Sequence, residues 1–231
     1  MTLLLIVLGI LPSLLWLSLY LKEDDHPEPR WLIIRTFFFG ALAAAFAAGT
    51  EYILMRGLEA ISLPGIITQI LLFFVVIAFV EEYWKYLAVK VTDEPLKSFD
   101  EPTDAMIYLI VAALGFAAVE NLLAVFAPFI IDTAHAVEVT FLRSISATLL
   151  HVLASGIVGF YLAQRHFFLK KYAVIKGLVL AAFLHGLYNI LTLRSNAFEH
   201  LIITFVIVLL LGGMAIAVNE LFYKLKKDYY A

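Results

Sequence analysis

Apolar residues fill most of the chain in seven blocks, near 1–21, 32–55, 64–90, 104–131, 139–163, 173–194 and 200–223, separated by short polar connections. A helix needs about 17 to 25 mostly apolar residues to cross the hydrocarbon core of a bilayer, and each block meets that length. None shows the sustained alternation of a lipid-facing barrel strand, so the pattern predicts an all-α fold, a polytopic transmembrane bundle of about seven spans. The first block has no basic residue ahead of it and runs directly into Lys22, Glu23, Asp24 and Asp25, which reads as an uncleaved span rather than a signal peptide.

Four consecutive blocks break the apolar rule near their middles. The third holds Glu81, Glu82 and Lys85, the fourth Glu120, the fifth His151 and the sixth His185. A charge at the bilayer centre costs at least ~2.5 kcal/mol, so such residues face a bundle interior and mark function. At 1.5 Å per residue, Glu81 lies about 6 Å to the cytoplasmic side of its span's centre, Glu120 and His185 about 3 Å from theirs, and His151 at the centre. Four helices therefore deliver ionisable groups to one layer.

Helical spacing refines this picture. Glu81 and Lys85 are four apart and share a face, whereas Glu82 is turned about 100° away and shares that face only in part. Ser144, Thr148, His151 and Ser155 form a narrow polar stripe, and His185 stands four residues before Asn189, where the two can hold one ligand or water together. Glu82 and Lys85 admit a second reading, in which one neutralises the other or Lys85 snorkels to the interface. Glu51 and Glu59 are expected in solvent, and His26, His135, His166 and His200 in connections or at interfaces. The alanine-rich run from Gly40 to Gly49 suits close helix packing.

Composition agrees with a membrane protein. Of 231 residues, 63% are hydrophobic and 15% charged, well above the apolar share of a soluble domain. With no cysteine, disulfides, thiolate metal sites and cysteine-protease chemistry are excluded. The net charge of −3 gives no footing for nucleic acid. Twelve lysines and arginines flank the odd connections and the tail, against Arg56, Arg143 and Arg194 on the other side, which predicts an outside amino terminus and a cytoplasmic carboxyl terminus. Thr92 to Thr103 reads as a turn-rich cytoplasmic connection with Asp93, Glu94, Pro95, Asp100, Glu101 and Pro102, ending in capping residues. No internal repeat is evident, and residues 1–231 read as one transmembrane domain with a motif-bearing core at about 80–189.

Two histidines and a carboxylate suit zinc, whose catalytic sites commonly use three protein ligands and keep a position for water. On that reading Glu120, His151 and His185 are the metal ligands, and Glu81 is the general base that takes the water's proton. Without metal, a glutamate activates water directly while histidine and asparagine stabilise the oxyanion. Residue types alone leave both open.

EEYWK at Glu81 to Lys85, DEPTDAMIYLIVAALGFAAVEN from Asp100 to Asn121, His151 in its polar helix and HGLYN at His185 to Asn189 resemble the PrsW family of intramembrane proteases. That family is similar to the type II CAAX prenyl proteases, but Glu120 stands here where their FxxxH motif has histidine. The resemblance implies a prokaryotic cell-membrane peptidase that cuts membrane-anchored protein within or near the bilayer, such as site-1 cleavage of an anti-sigma factor. It maps the motif onto Glu81, Glu82, Lys85, Glu120, Asn121, His151, His185 and Asn189, with Zn2+ as the favoured cofactor. The expected partners are a membrane-anchored protein substrate and the lipid bilayer. Two other classes stay in play: a proton-coupled transporter, since glutamate and histidine chains also relay protons, and a catalytically inactive membrane scaffold.

Overall fold

The computed structural model describes residues 2–23, 26–92, 99–126, 133–192 and 197–230. The far end of the predicted fourth block (127–131), Asp93, Glu94 and Pro95 of the acidic connection, Asp24, Asp25 and Arg194 lie outside them, as do the side chains of His135, Ser144 and His200. Among the described residues there are helices and no strands: α1 (Thr2–Tyr20), α2 (Arg30–Glu59), α3 (Gly65–Ile70), a π-helical segment (Leu71–Phe79), α4 (Val80–Thr92), α5 (Pro102–Val125), α6 (Thr133–Ile145), α7 (Ala147–His166), α8 (Ala173–Thr192) and α9 (Ala197–Tyr230). Seven helical stretches among them are long and apolar enough to cross a membrane.

The helix α5 is the axis of the bundle. From Pro102 to Ala118 every residue is buried, as befits a helix that is apolar on all sides, and α1, α2 and α7 wrap around it. Its start is fixed locally. Asp104 Oδ2 accepts from the backbone N–H of Glu101 at 2.7 Å and of Asp100 at 3.0 Å, completing a capping box with Pro102 in the first turn.

Small residues let the neighbouring helices approach. A Cβ at Gly40 would fall 2.0 Å from the Ala112 carbonyl oxygen, and one at Gly115 would fall 1.9 Å from that of Phe37, so α2 and α5 meet backbone to backbone. Gly159 of α7 also lies close on α5, where a Cβ would stand 2.5 Å from Met106 Cα. Gly40, Ala43, Ala44 and Ala47 are buried along one face of α2, the packing stripe expected from the sequence, whereas Gly49 meets nothing.

Several boundaries differ from the hydropathy pattern. The fifth block is divided into α6 and α7 at Ser146 (φ −111, ψ −76), whose hydroxyl donates to the Leu142 carbonyl, a back-bond that bends helices, while the backbone hydrogen bonds run on through the residue. The third block contains the π-helical turn, a geometry that concentrates at functional sites. At the far end of α2 the helix outlasts its apolar run, carried on by the Arg56–Glu59 ion pair at 2.6 Å.

Candidate active site

The polar residues of α4, α5, α7 and α8 meet in one buried cluster. Glu82 is its anchor. One carboxylate oxygen accepts from Lys85 Nζ at 2.7 Å and from His185 Nδ1 at 2.9 Å, and the other accepts from the Ser155 hydroxyl at 3.1 Å. These three donors all belong to the cluster, and both Glu82 and Lys85 are sealed from solvent. Lys85 therefore does not snorkel; its ammonium lies 4.5 Å over the Phe116 ring and donates to His151 Nδ1 at 2.7 Å. The tight pair is Glu82 with Lys85, and Glu81 Oε2 stands 3.6 Å from the same nitrogen.

These contacts assign the histidine protons. A lysine ammonium only donates, so Nδ1 of His151 accepts and the ring proton sits on Nε2, which donates to Glu120 Oε2 at 2.7 Å. In His185 the proton sits on Nδ1 and goes to Glu82, leaving the Nε2 lone pair open. Each imidazole thus holds a carboxylate on one nitrogen and turns the other toward a third carboxylate. Glu81 Oε2 lies 3.8 Å from His151 Nδ1 and 3.7 Å from His185 Nε2.

That Glu81 oxygen is buried and has no hydrogen-bond partner. The Lys85 ammonium 3.6 Å away supplies charge but no hydrogen bond, and a buried carboxylate oxygen without one carries a desolvation penalty, so the position can take up a cation or a polar ligand. Glu81, His151 and His185 each offer a donor atom within 4.8 Å of the others, and a glutamate with two histidines is a donor set zinc accepts.

The cluster forms the floor of a cavity of about 480 Å3. Its walls are Phe73 and Ile77 of the π-helical segment, Leu123 of α5, and Tyr188, Asn189 and Thr192 of α8, so both members of the His185–Asn189 pair face one space. Glu120 is the half-buried carboxylate here, at 27% against 6% for Glu81. Asn121 is buried and bridges outward: its Nδ2 donates to Thr148 Oγ1 at 3.0 Å, and its Oδ1 accepts from Arg143 Nε at 2.8 Å.

All eight residues singled out in the sequence are in the cluster or on its rim. Thr148 and Ser155 of the polar stripe join them. Two residues are additions. Arg143 had counted only toward topology, yet it lines the cavity; its place four and eight residues before Ala147 and His151 is the signal that puts it on their face. Glu51 is half-buried and within electrostatic reach of Glu120, Lys85 and Glu81, rather than out in solvent, because α2 presses so closely on α5.

Comparison with known proteins covers most of the chain. The family model described as "PrsW family intramembrane metalloprotease" matches residues 28–214. Among curated proteins, Protease PrsW of Oceanobacillus iheyensis is 30% identical over 203 residues, 87% of this chain and 88% of the relative. Protease PrsW of Geobacillus kaustophilus is 32% identical over 83% of this chain and 81% of its own. Protease PrsW of Bacillus subtilis is 33% identical over 81% and 83%. No solved structure matches the chain.

Proposed function

The chain belongs to the PrsW family of intramembrane proteases, and from that premise and the buried cluster we propose a metal-assisted endopeptidase whose donors are Glu81, His151 and His185. The observation that carries the proposal is the shared arrangement of the two imidazoles. Each holds a carboxylate, Glu120 or Glu82, on one nitrogen and turns the other toward the unpartnered Glu81 oxygen. Histidines that ligate metals are oriented in this way, by a carboxylate on the distal nitrogen. His185 offers its lone pair as it stands, and His151 joins by releasing Lys85 from Nδ1. A bound zinc would polarise the scissile carbonyl and make water acidic enough to attack at neutral pH.

The geometry favours exchanging the two glutamate roles that residue types alone suggest. Both glutamates line the cavity, but Glu81 is buried beside the two histidines at 6% side-chain exposure, whereas Glu120, at 27%, is the more open of the two. Glu120 accordingly accepts the proton as the water oxygen bonds to the carbonyl carbon, then returns it to the leaving amine as the C–N bond breaks. Asn189, on the cavity wall, donates to the developing oxyanion. Glu82, itself fixed by Lys85 and Ser155, holds His185, and Glu120 holds His151, which limits the reorganisation needed at reaction.

The substrate is a membrane-anchored protein, of the anti-sigma-factor kind that the motif resemblance implies. The cavity runs from the cluster toward the helix ends that carry Leu123, Arg143 and Thr192. With the basic connections in the cytoplasm, those ends are the outer ones, so the cavity opens toward the outer face. Cleavage of a single-span reporter in proteoliposomes tests the reading. Wild type cleaves in a chelator-sensitive way and Glu81→Gln and His185→Ala do not; a Glu81→Gln protein that cleaves at the wild-type rate overturns it.

A further inference from the structure

Arg143 belongs to α6, a helix that contributes none of the motif residues, yet its side chain reaches across to the cluster. Its guanidinium serves two adjacent residues of α5. Nε donates to Asn121 Oδ1 at 2.8 Å, and Nη2 donates to Glu120 Oε2 at 3.4 Å. Glu120 Oε2 is the same oxygen that accepts from His151 Nε2. Asn121 is in turn locked, because its amide gives Nδ2 to Thr148, one helical turn from His151 on α7. The contacts close a loop: Thr148 fixes the Asn121 amide, Asn121 fixes the guanidinium, and the guanidinium fixes the Glu120 carboxylate against His151.

We propose that Arg143 is a positioning residue for catalysis, which holds the Glu120 carboxylate in the orientation that serves both His151 and the cavity. The proposal rests on the reading of Glu120 as proton acceptor given above. The planar fork explains the residue type. Consecutive helical residues point about 100° apart, and two diverging N–H groups from one rigid plane reach both acceptors. A lysine delivers a point charge to one of them. In the last turn of α6 the cation also complements the helix dipole.

Steady-state cleavage of the membrane-anchored reporter by Arg143→Ala, Arg143→Lys, Glu120→Gln and the Arg143→Ala, Glu120→Gln pair tests this, with thermal midpoints measured on the same samples. Removing a group that orients a site residue costs about 10- to 100-fold. The expected result for Arg143→Ala is a loss of that size in kcat with KM within about threefold, partly recovered in Arg143→Lys, and no further loss when Glu120 is already glutamine. A raised KM with kcat intact makes Arg143 a substrate contact and overturns the proposal. Losses that multiply in the pair, or a midpoint drop that accounts for the lost activity, overturn it as well. If Arg143→Ala does not accumulate, Arg143→Lys carries the same comparison. Wild-type activity in Glu120→Gln defeats the reading of Glu120 itself, a different failure from an inert Arg143.

Discussion

Substituting Gly115 by alanine adds one methyl group at the tightest point of the bundle. The new Cβ would stand 1.9 Å from the Phe37 carbonyl oxygen and 3.0 Å from the Ala41 backbone nitrogen, and neither is the end of a side chain that can swing away. Carbon reaches comfortable contact at about 3.5 Å, so α2 and α5 must separate by roughly 1.5 Å. Overpacking of this kind costs about 1 to 3 kcal/mol, and two opposed backbones place the change at the upper end. Glu120 lies on the same helix five residues further on, and its 2.7 Å bond to His151 does not survive a shift of that size. A misplacement near 1 Å lowers turnover about 100-fold. Thermal midpoints in detergent and reporter cleavage should both fall in Gly115→Ala and in its reciprocal, Gly40→Ala. Gly49→Ala and Gly57→Ala are the controls, since a Cβ there meets nothing within 4 Å. A Gly115→Ala protein with wild-type midpoint and turnover, or an equal loss at Gly49, refutes the reasoning.

Lys85→Met leaves the Glu82 carboxylate buried without its ammonium, and breaking such a pair costs about 3 to 5 kcal/mol; chemical unfolding should show that loss, and adding Glu82→Gln should return part of it. At Gly186 a Cβ would fall 2.5 Å from the Phe74 ring, an obstacle that can move. Gly186→Ala should therefore cost less than Gly115→Ala, and Phe74→Leu in the same chain should offset its effect on the thermal midpoint.

The membrane bundle and the gathering of these polar residues into one buried cluster were legible because lipid punishes polar residues. Glu81, Glu120, His151 and His185 stood out against apolar surroundings, and their depths agreed. Their division of labour was not legible. Spacing placed Glu81 with Lys85 and turned Glu82 aside, but long side chains reach across that angle, and Glu82 became the anchor for both Lys85 and His185. Roles of the glutamates depend on which nitrogen of each imidazole faces which carboxylate, and that follows from the packing of four helices. Arg143 was hidden because an arginine near a helix end reads as topology; its spacing from Ala147 and His151 was the available signal, and the bond to Asn121 draws its side chain inward. Helix ends ran past the apolar blocks wherever charged residues are themselves good helix formers, as in Lys224 to Tyr230 of α9.

Glu81 as metal donor and Glu120 as proton acceptor is the central assignment, and metal content separates the two directly. Wild type, Glu81→Gln and Glu120→Gln are purified in parallel, zinc per chain is measured by elemental mass spectrometry, and reporter cleavage is followed in the same samples. The account predicts near-stoichiometric zinc in wild type, its loss with activity in Glu81→Gln, and zinc retained with sharply reduced but measurable cleavage in Glu120→Gln. Zinc kept in Glu81→Gln and lost in Glu120→Gln would contradict it.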